Sequence, residues 1–155
     1  MAEKTSSVAI TLAVLACLAV AHRHVTSAQV VSLDAPPPTT VWSGVYTEAD
    51  AQRGKIAYTK RCATCHGADL KGGPGVAPIV GNPFFDRWHD LRVFDTFAYI
   101  QSAMRHDFRN FVPANEARDL VAFLLQQNGI PPGNQPLPKD YGVLNEILIT
   151  FPPEH

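Results

Sequence analysis

Three side chains able to do chemistry stand together at Cys62-Ala63-Thr64-Cys65-His66. Two thiols two residues apart, followed at once by an imidazole, form the attachment pattern of c-type haem. The spacing has a physical reason. The thiols must reach the two vinyl groups on one side of a porphyrin and form thioethers, and the adjacent histidine must then turn its imidazole towards the iron. Three other readings compete. A zinc site needs a second ligand pair, and no second Cys-x-x-Cys is present. A thioredoxin-like dithiol wants strand–helix alternation around it, which is absent here. A chance match is the third.

A motif of this kind needs elements that hold it. Thr47-Glu48-Ala49-Asp50 resembles a capping box, a hydroxyl followed three residues on by a carboxylate, so a helix is expected to begin at Thr47. Ala51, Gly54, Tyr58 and Cys62 then share one face of that helix. A glycine inside a helix costs about 1 kcal/mol relative to alanine. A second helix crossing closely over Gly54 would offset that, and a tolerated weak spot is the plainer alternative. From Gly67 to Pro83 the chain is a Gly/Pro-rich loop, and Phe84, Phe85 and Trp88 follow it.

A second helix is expected from Val93 to Met104 and a third from Asn115 to Asn128. In the third, Ala117, Leu120, Val121 and Leu124 make an apolar stripe at helical spacing. Gly129 stands where a C-terminal cap belongs, and Pro131 ends any continuation. The tail from 131 to 155 carries further prolines, with Asp140 placed to cap a short last helix through Val143, Leu144, Ile147 and Leu148. No strand pattern is convincing. The expected fold class is all-α.

The chain has 155 residues, 46% hydrophobic and 17% charged, which suits one compact core. Its formal net charge of -1 and the lack of a basic patch speak against nucleic-acid binding. Val8 to Ala21 is an almost unbroken apolar run, short of the ~20 residues that span a bilayer. It reads as the apolar core of a secretory signal peptide over 1–28, with cleavage after Ala28 or, as a second candidate, at Ala19-Val20-Ala21. A short uncleaved anchor is the alternative. Cys17 as a lipid-attachment site is disfavoured by Leu15 and the apolar residues that follow. Residues 29–44, with Pro36-Pro37-Pro38, read as a flexible arm. Removing the leader leaves two cysteines, Cys62 and Cys65.

From Tyr46 to Gly129, within a haem domain bounded at 45–130, the sequence resembles a class I, bacterial-type monohaem cytochrome c. The helix leading into CATCH, the Gly/Pro loop, and a methionine ahead of an amphipathic C-terminal helix carry the likeness. It implies a fold of three to four helices wrapped around one covalently attached haem c, with the first and last core helices crossing. Gly54 and Tyr58 would lie in that crossing, opposite Leu120, Val121 and Leu124. His66 would be the proximal ligand, and Pro78 the loop proline whose carbonyl accepts a hydrogen bond from it, a bond that orients the ring. Trp88 would lie near the haem edge, with plain core packing an equal alternative.

Once the leader is gone Met104 is the single methionine of the mature chain, and the resemblance makes it the sixth ligand. A soft thioether favours ferrous iron and raises the potential. The family often has proline after this methionine, whereas here Arg105-His106 follows. His106 is therefore a rival ligand in a bis-histidine centre. His89 is a more distant one, with an exposed polar role the simpler reading.

These residues lead to an electron carrier rather than an enzyme, since iron with both axial positions filled offers no substrate site. The implied partners are redox proteins such as a periplasmic dehydrogenase or a terminal oxidase. The expected protein is a periplasmic monomer, touching a membrane only through a partner or a retained leader. An open-site haem protein, such as a gas sensor or a peroxidase-like enzyme, is the second reading, decided by whether Met104 binds iron. A fixed subunit of a larger membrane complex, docked through the arm and tail, is the third.

Overall fold

The computed structural model describes residues 39–102 and 111–153, all within the unit Pro37–His155. Met104, Arg105 and His106 lie outside the described residues, as do the leader and the arm up to residue 38. Among the described residues there are six helices and no strand. They are α1 (Glu48–Arg61), α2 (Ala63–His66), α3 (Asn82–Trp88), α4 (Val93–Ser102), α5 (Ala114–Gln127) and α6 (Tyr141–Glu146), preceded by a 3-10 turn at Val41–Ser43. The all-α, cytochrome c-like expectation holds. The helices added to the expected set are the one-turn α2 and the short α3, which is opened by Gly81 and carries Pro83 at its N-terminal end. Periodicity does not reveal segments this short.

Local signals set the ends of the long helices. The Thr47 hydroxyl accepts from the Asp50 amide (3.2 Å), and the Asp50 carboxylate accepts from the Thr47 amide (2.9 Å), which completes the capping box of α1. At the end of α5, Ile130 N–H reaches Leu125 O and Gly129 N–H reaches Gln126 O, with Gly129 at φ 77°. This is a Schellman cap, and glycine adopts its left-handed backbone without a Cβ penalty.

The helices α1 and α5 cross at Gly54. A Cβ built there would stand 1.9 Å from the Asp119 carbonyl oxygen and 2.7 Å from the Phe123 Cβ. The crossing was expected opposite Leu120, Val121 and Leu124. These three are buried, and Gly54 itself meets the Asp119 backbone and Phe123. Where no side chain separates two helices the backbone itself makes the contact. The Tyr58 ring continues the seam against Phe123, 5.2 Å between centroids.

Both ends of the described chain pack onto the core. The arm is fixed from Thr39 onward, with Val41 fully buried. The tail places Leu137, Leu144, Ile147 and Ile149 in the core. The last helix stops at Glu146, earlier than the expected run through Leu148, and residues 147–150 continue as a strap. Leu148 pairs with Thr40 on one side and Arg92 on the other.

Candidate functional site

The site is built at the end of α1. Cys62 caps that helix, its N–H donating to Tyr58 O (2.8 Å), and the chain then turns through α2 with His66 N–H on Cys62 O (2.9 Å). One turn thus carries both thiols and the imidazole. Cys62 is half-buried and Cys65 exposed, and both are free thiols. Burial pushes the Cys62 thiol up to about 11.

The turn is pinned from two directions. Tyr58 Oη donates to Gly67 O (2.6 Å), just past His66, and burial raises this phenol to about 12. Arg61, beside Cys62, makes a two-bond ion pair with Glu116 of α5 (2.6 and 3.1 Å). A second such pair joins Arg53 to Asp119 (3.0 and 2.9 Å). Sequence reasoning missed both pairs, because their partners lie 55 and 66 positions apart and carry no local pattern.

The loop after the turn folds back on it. Gly72 N–H donates to His66 O (2.8 Å), and Ile79 N–H to Leu70 O (2.9 Å), with the Leu70 side chain buried. Asn128, at the end of α5, holds the far leg. Its side-chain oxygen accepts from Gly81 N–H (2.8 Å) and its amide donates to Ile79 O (3.3 Å). Pro78 is therefore returned next to a residue bonded at the base of the loop. The bond expected between His66 and the Pro78 carbonyl is not formed, and His66 Nδ1 is buried without a partner.

Two further candidates, Trp88 and His89, lie among the described residues. Trp88 is buried and packs edge-on against Tyr99 (5.4 Å), with the Arg87 guanidinium over both rings at 5.0 and 4.4 Å. His89 is near the surface, beside Asp90 (3.3 Å) and with its ring tilted against Phe151 (4.5 Å). A cavity of about 300 Å³ between Phe94, Phe97, Phe111 and Tyr141 holds none of the candidate residues.

The arrangement fits covalently attached haem. Two unpaired thiols and a histidine with an orphaned buried nitrogen occupy one turn. Among the described residues no three His, Cys, Asp or Glu side chains converge as a metal cluster, so the cysteines and His66 do not form a compact zinc-type site. Residues 49–124 match the family model described as Cytochrome C oxidase, cbb3-type, subunit III. This region is similar to a cytochrome c domain. No curated protein and no solved structure matches the chain. The matched region spans α1 to most of α5, and so includes the CATCH turn, its loop and the helix crossing. The arm and strap lie outside the matched residues. A c-type haem protein of electron transfer is what such a domain makes, and haem c with its iron is the cofactor it implies.

Proposed function

We propose that this protein is an exported, single-haem c-type cytochrome that passes electrons between redox proteins, with iron held by His66 and Met104. The observation that carries the reading is the CATCH turn, where Cys62, Cys65 and His66 share one helix end with free thiols and an orphaned Nδ1. When bound, haem supplies a one-electron ferric–ferrous couple. The chain's own residues attach, orient and shield it. Cys62 and Cys65 would supply the two thiols and His66 an iron ligand, while Tyr58 and the Arg61–Glu116 pair fix the turn. Met104 would supply a soft thioether ligand and raise the potential.

The proposed partner is a terminal oxidase, and the description of the matched family favours a second reading in which the chain is itself a subunit of such an oxidase. Export rests on the apolar run Val8 to Ala21. Purification as a free monomer lacking residues 1–28 supports the soluble carrier, and co-purification with an oxidase supports the subunit.

The ligand test is optical. Oxidised protein matured with haem should show the weak long-wavelength sulfur-to-iron charge-transfer band, and Met104→Ala should abolish it. A wild type without the band would remove Met104 from the coordination sphere and leave His106 or an open site.

A further inference from the structure

The side chain that holds the far leg of the loop belongs to the one asparagine of the chain that precedes a glycine, Asn128-Gly129. The others precede Pro83, Phe111, Glu116, Gln135 and Glu146. Both ends of the Asn128 amide are engaged. Its Oδ1 accepts from Gly81 N–H (2.8 Å), and its Nδ2 donates to Ile79 O (3.3 Å) and to Leu124 O (2.8 Å). The amide serves the loop as the peptide of a neighbouring strand would, accepting from one residue and donating to another two positions away. Ile79 N–H is held from the other side by Leu70 O (2.9 Å). One side chain of α5 thus joins that helix to the leg 79–81.

The same residue carries a latent reaction. A glycine after asparagine has no side chain to shield its backbone nitrogen. Gly129 is exposed, and a Cβ built there would meet nothing within 4 Å, so water reaches this peptide. The Gly129 nitrogen can attack Cγ of Asn128. The new N–Cγ bond closes a cyclic imide, the Cγ–Nδ2 bond breaks, and Nδ2 leaves as ammonia with the proton given up by Gly129. Water then opens the imide to an aspartate, or to the isomer whose chain runs through the side-chain carbon. Nothing is oxidised or reduced, and water is the co-reactant. In the closed structure the reacting groups are occupied, since Gly129 N–H donates to Gln126 O (3.0 Å) and Nδ2 holds two carbonyls. Attack therefore waits for the last turn of α5 to open, and helix ends open at low free-energy cost.

We propose that Asn128-Gly129 is a modification site that acts as a one-way latch, with loss of ammonia at Asn128 releasing the 79–81 leg from α5. The product has no Nδ2 donor. One carboxylate oxygen keeps Gly81 N–H, but the other faces Ile79 O and Leu124 O, acceptor against acceptor. The new negative charge also lies at the C-terminal end of α5, where the helix dipole favours a cation. All these effects act in one direction, and refolding does not restore the amide. The latch is independent of which residue fills the sixth iron position.

The haem-loaded full chain, held at mildly alkaline pH over weeks and mapped by peptide mass spectrometry, tests the site. Acid should accumulate at 128 ahead of Asn115, Asn134 and Asn145, and faster in urea too dilute to unfold the protein, as an opening-limited reaction requires. The converted fraction, once separated, should show a lower urea midpoint and an Ile79 amide that exchanges about tenfold faster or more. Asn128→Asp should show both changes from the start. Asn128→Gln, whose longer side chain closes a ring less readily, should form no acid at 128. If Asn128→Asp does not mature, the converted fraction, folded before it changed, carries the test. No excess of acid at 128 over the other asparagines overturns the site. Acid at 128 with the midpoint and Ile79 exchange of wild type overturns the latch.

Discussion

Cys62 and Cys65 share a motif but not an environment. Cys62 closes α1 and is half-buried, whereas Cys65 is exposed on the following turn. Burial is the main cause of the raised Cys62 value. The Arg61 charge opposes it, and the Glu116 and Cys65 charges act with it. The thiolate is the reactive form of cysteine. In haem-free protein, iodoacetamide at about pH 8 should therefore label Cys65 well ahead of Cys62. Cys62 labelling should go on rising roughly tenfold per pH unit towards about 11. Peptide mapping by mass spectrometry reads both sites, and equal rates at neutral pH would contradict the burial seen at the helix end.

Among the elements, the α1–α5 crossing matters most, and magnitudes show why. The pairs Arg53–Asp119 and Arg61–Glu116 bracket it, and partly exposed ion pairs contribute about 0.2–1 kcal/mol each. Replacing Gly54 by alanine would gain about 1 kcal/mol of helix propensity. It would also drive a methyl group to 1.9 Å from a backbone carbonyl, where no rotamer change gives relief. Overpacking of this kind costs about 1–3 kcal/mol and occasionally more. With the opposing atom in the backbone the clash wins, so Gly54→Ala should destabilise by about 2 kcal/mol or more, read as a lower urea midpoint in holoprotein. A neutral or stabilising result would mean that the helices are further apart than the structure places them. Tyr58 depends on the same contact, since its ring packs on Phe123 while its hydroxyl pins Gly67.

On the scale of the molecule, the beginning and end of the domain are sewn together. Tyr46 is fully buried, its hydroxyl donates to Ile130 O (2.5 Å), and its own carbonyl accepts from Gly133 N–H (2.6 Å). Tyr46→Phe would leave the Ile130 carbonyl without its donor, a loss of about 1–3 kcal/mol. The phenol also brings a pH signature. Burial, aided by the Glu48 charge, raises Tyr46 to about 12. Its neutral form is the one the fold holds, so its contribution is complete below the unfolded value of about 10 and is lost as pH rises from there towards the folded value. Urea midpoints measured across that range should fall in wild type, and the Tyr46→Phe variant should lose this component. A variant with unchanged stability and unchanged alkaline slope would show that the Ile130 carbonyl finds another donor.

Much of the site was legible because its signals are local. CATCH names the chemistry within one turn, Thr47 and Asp50 start the helix that delivers it, and Gly129 ends the helix that crosses it. Each of these depends on side chains and backbone groups a few residues apart, so sequence alone carries them. The partner of Gly54, the core placement of Trp88 and the unformed bond from His66 to Pro78 depend on how elements pack, and spacing does not encode that. The tail shows the same division most clearly. Its prolines correctly signal extended backbone, but an extended segment has unpaired amides and carbonyls along both edges. Only the tertiary structure determines that Leu148 and Ile149 give theirs to Thr39 and Leu91, joining segments that are far apart in the chain and adjacent in the fold.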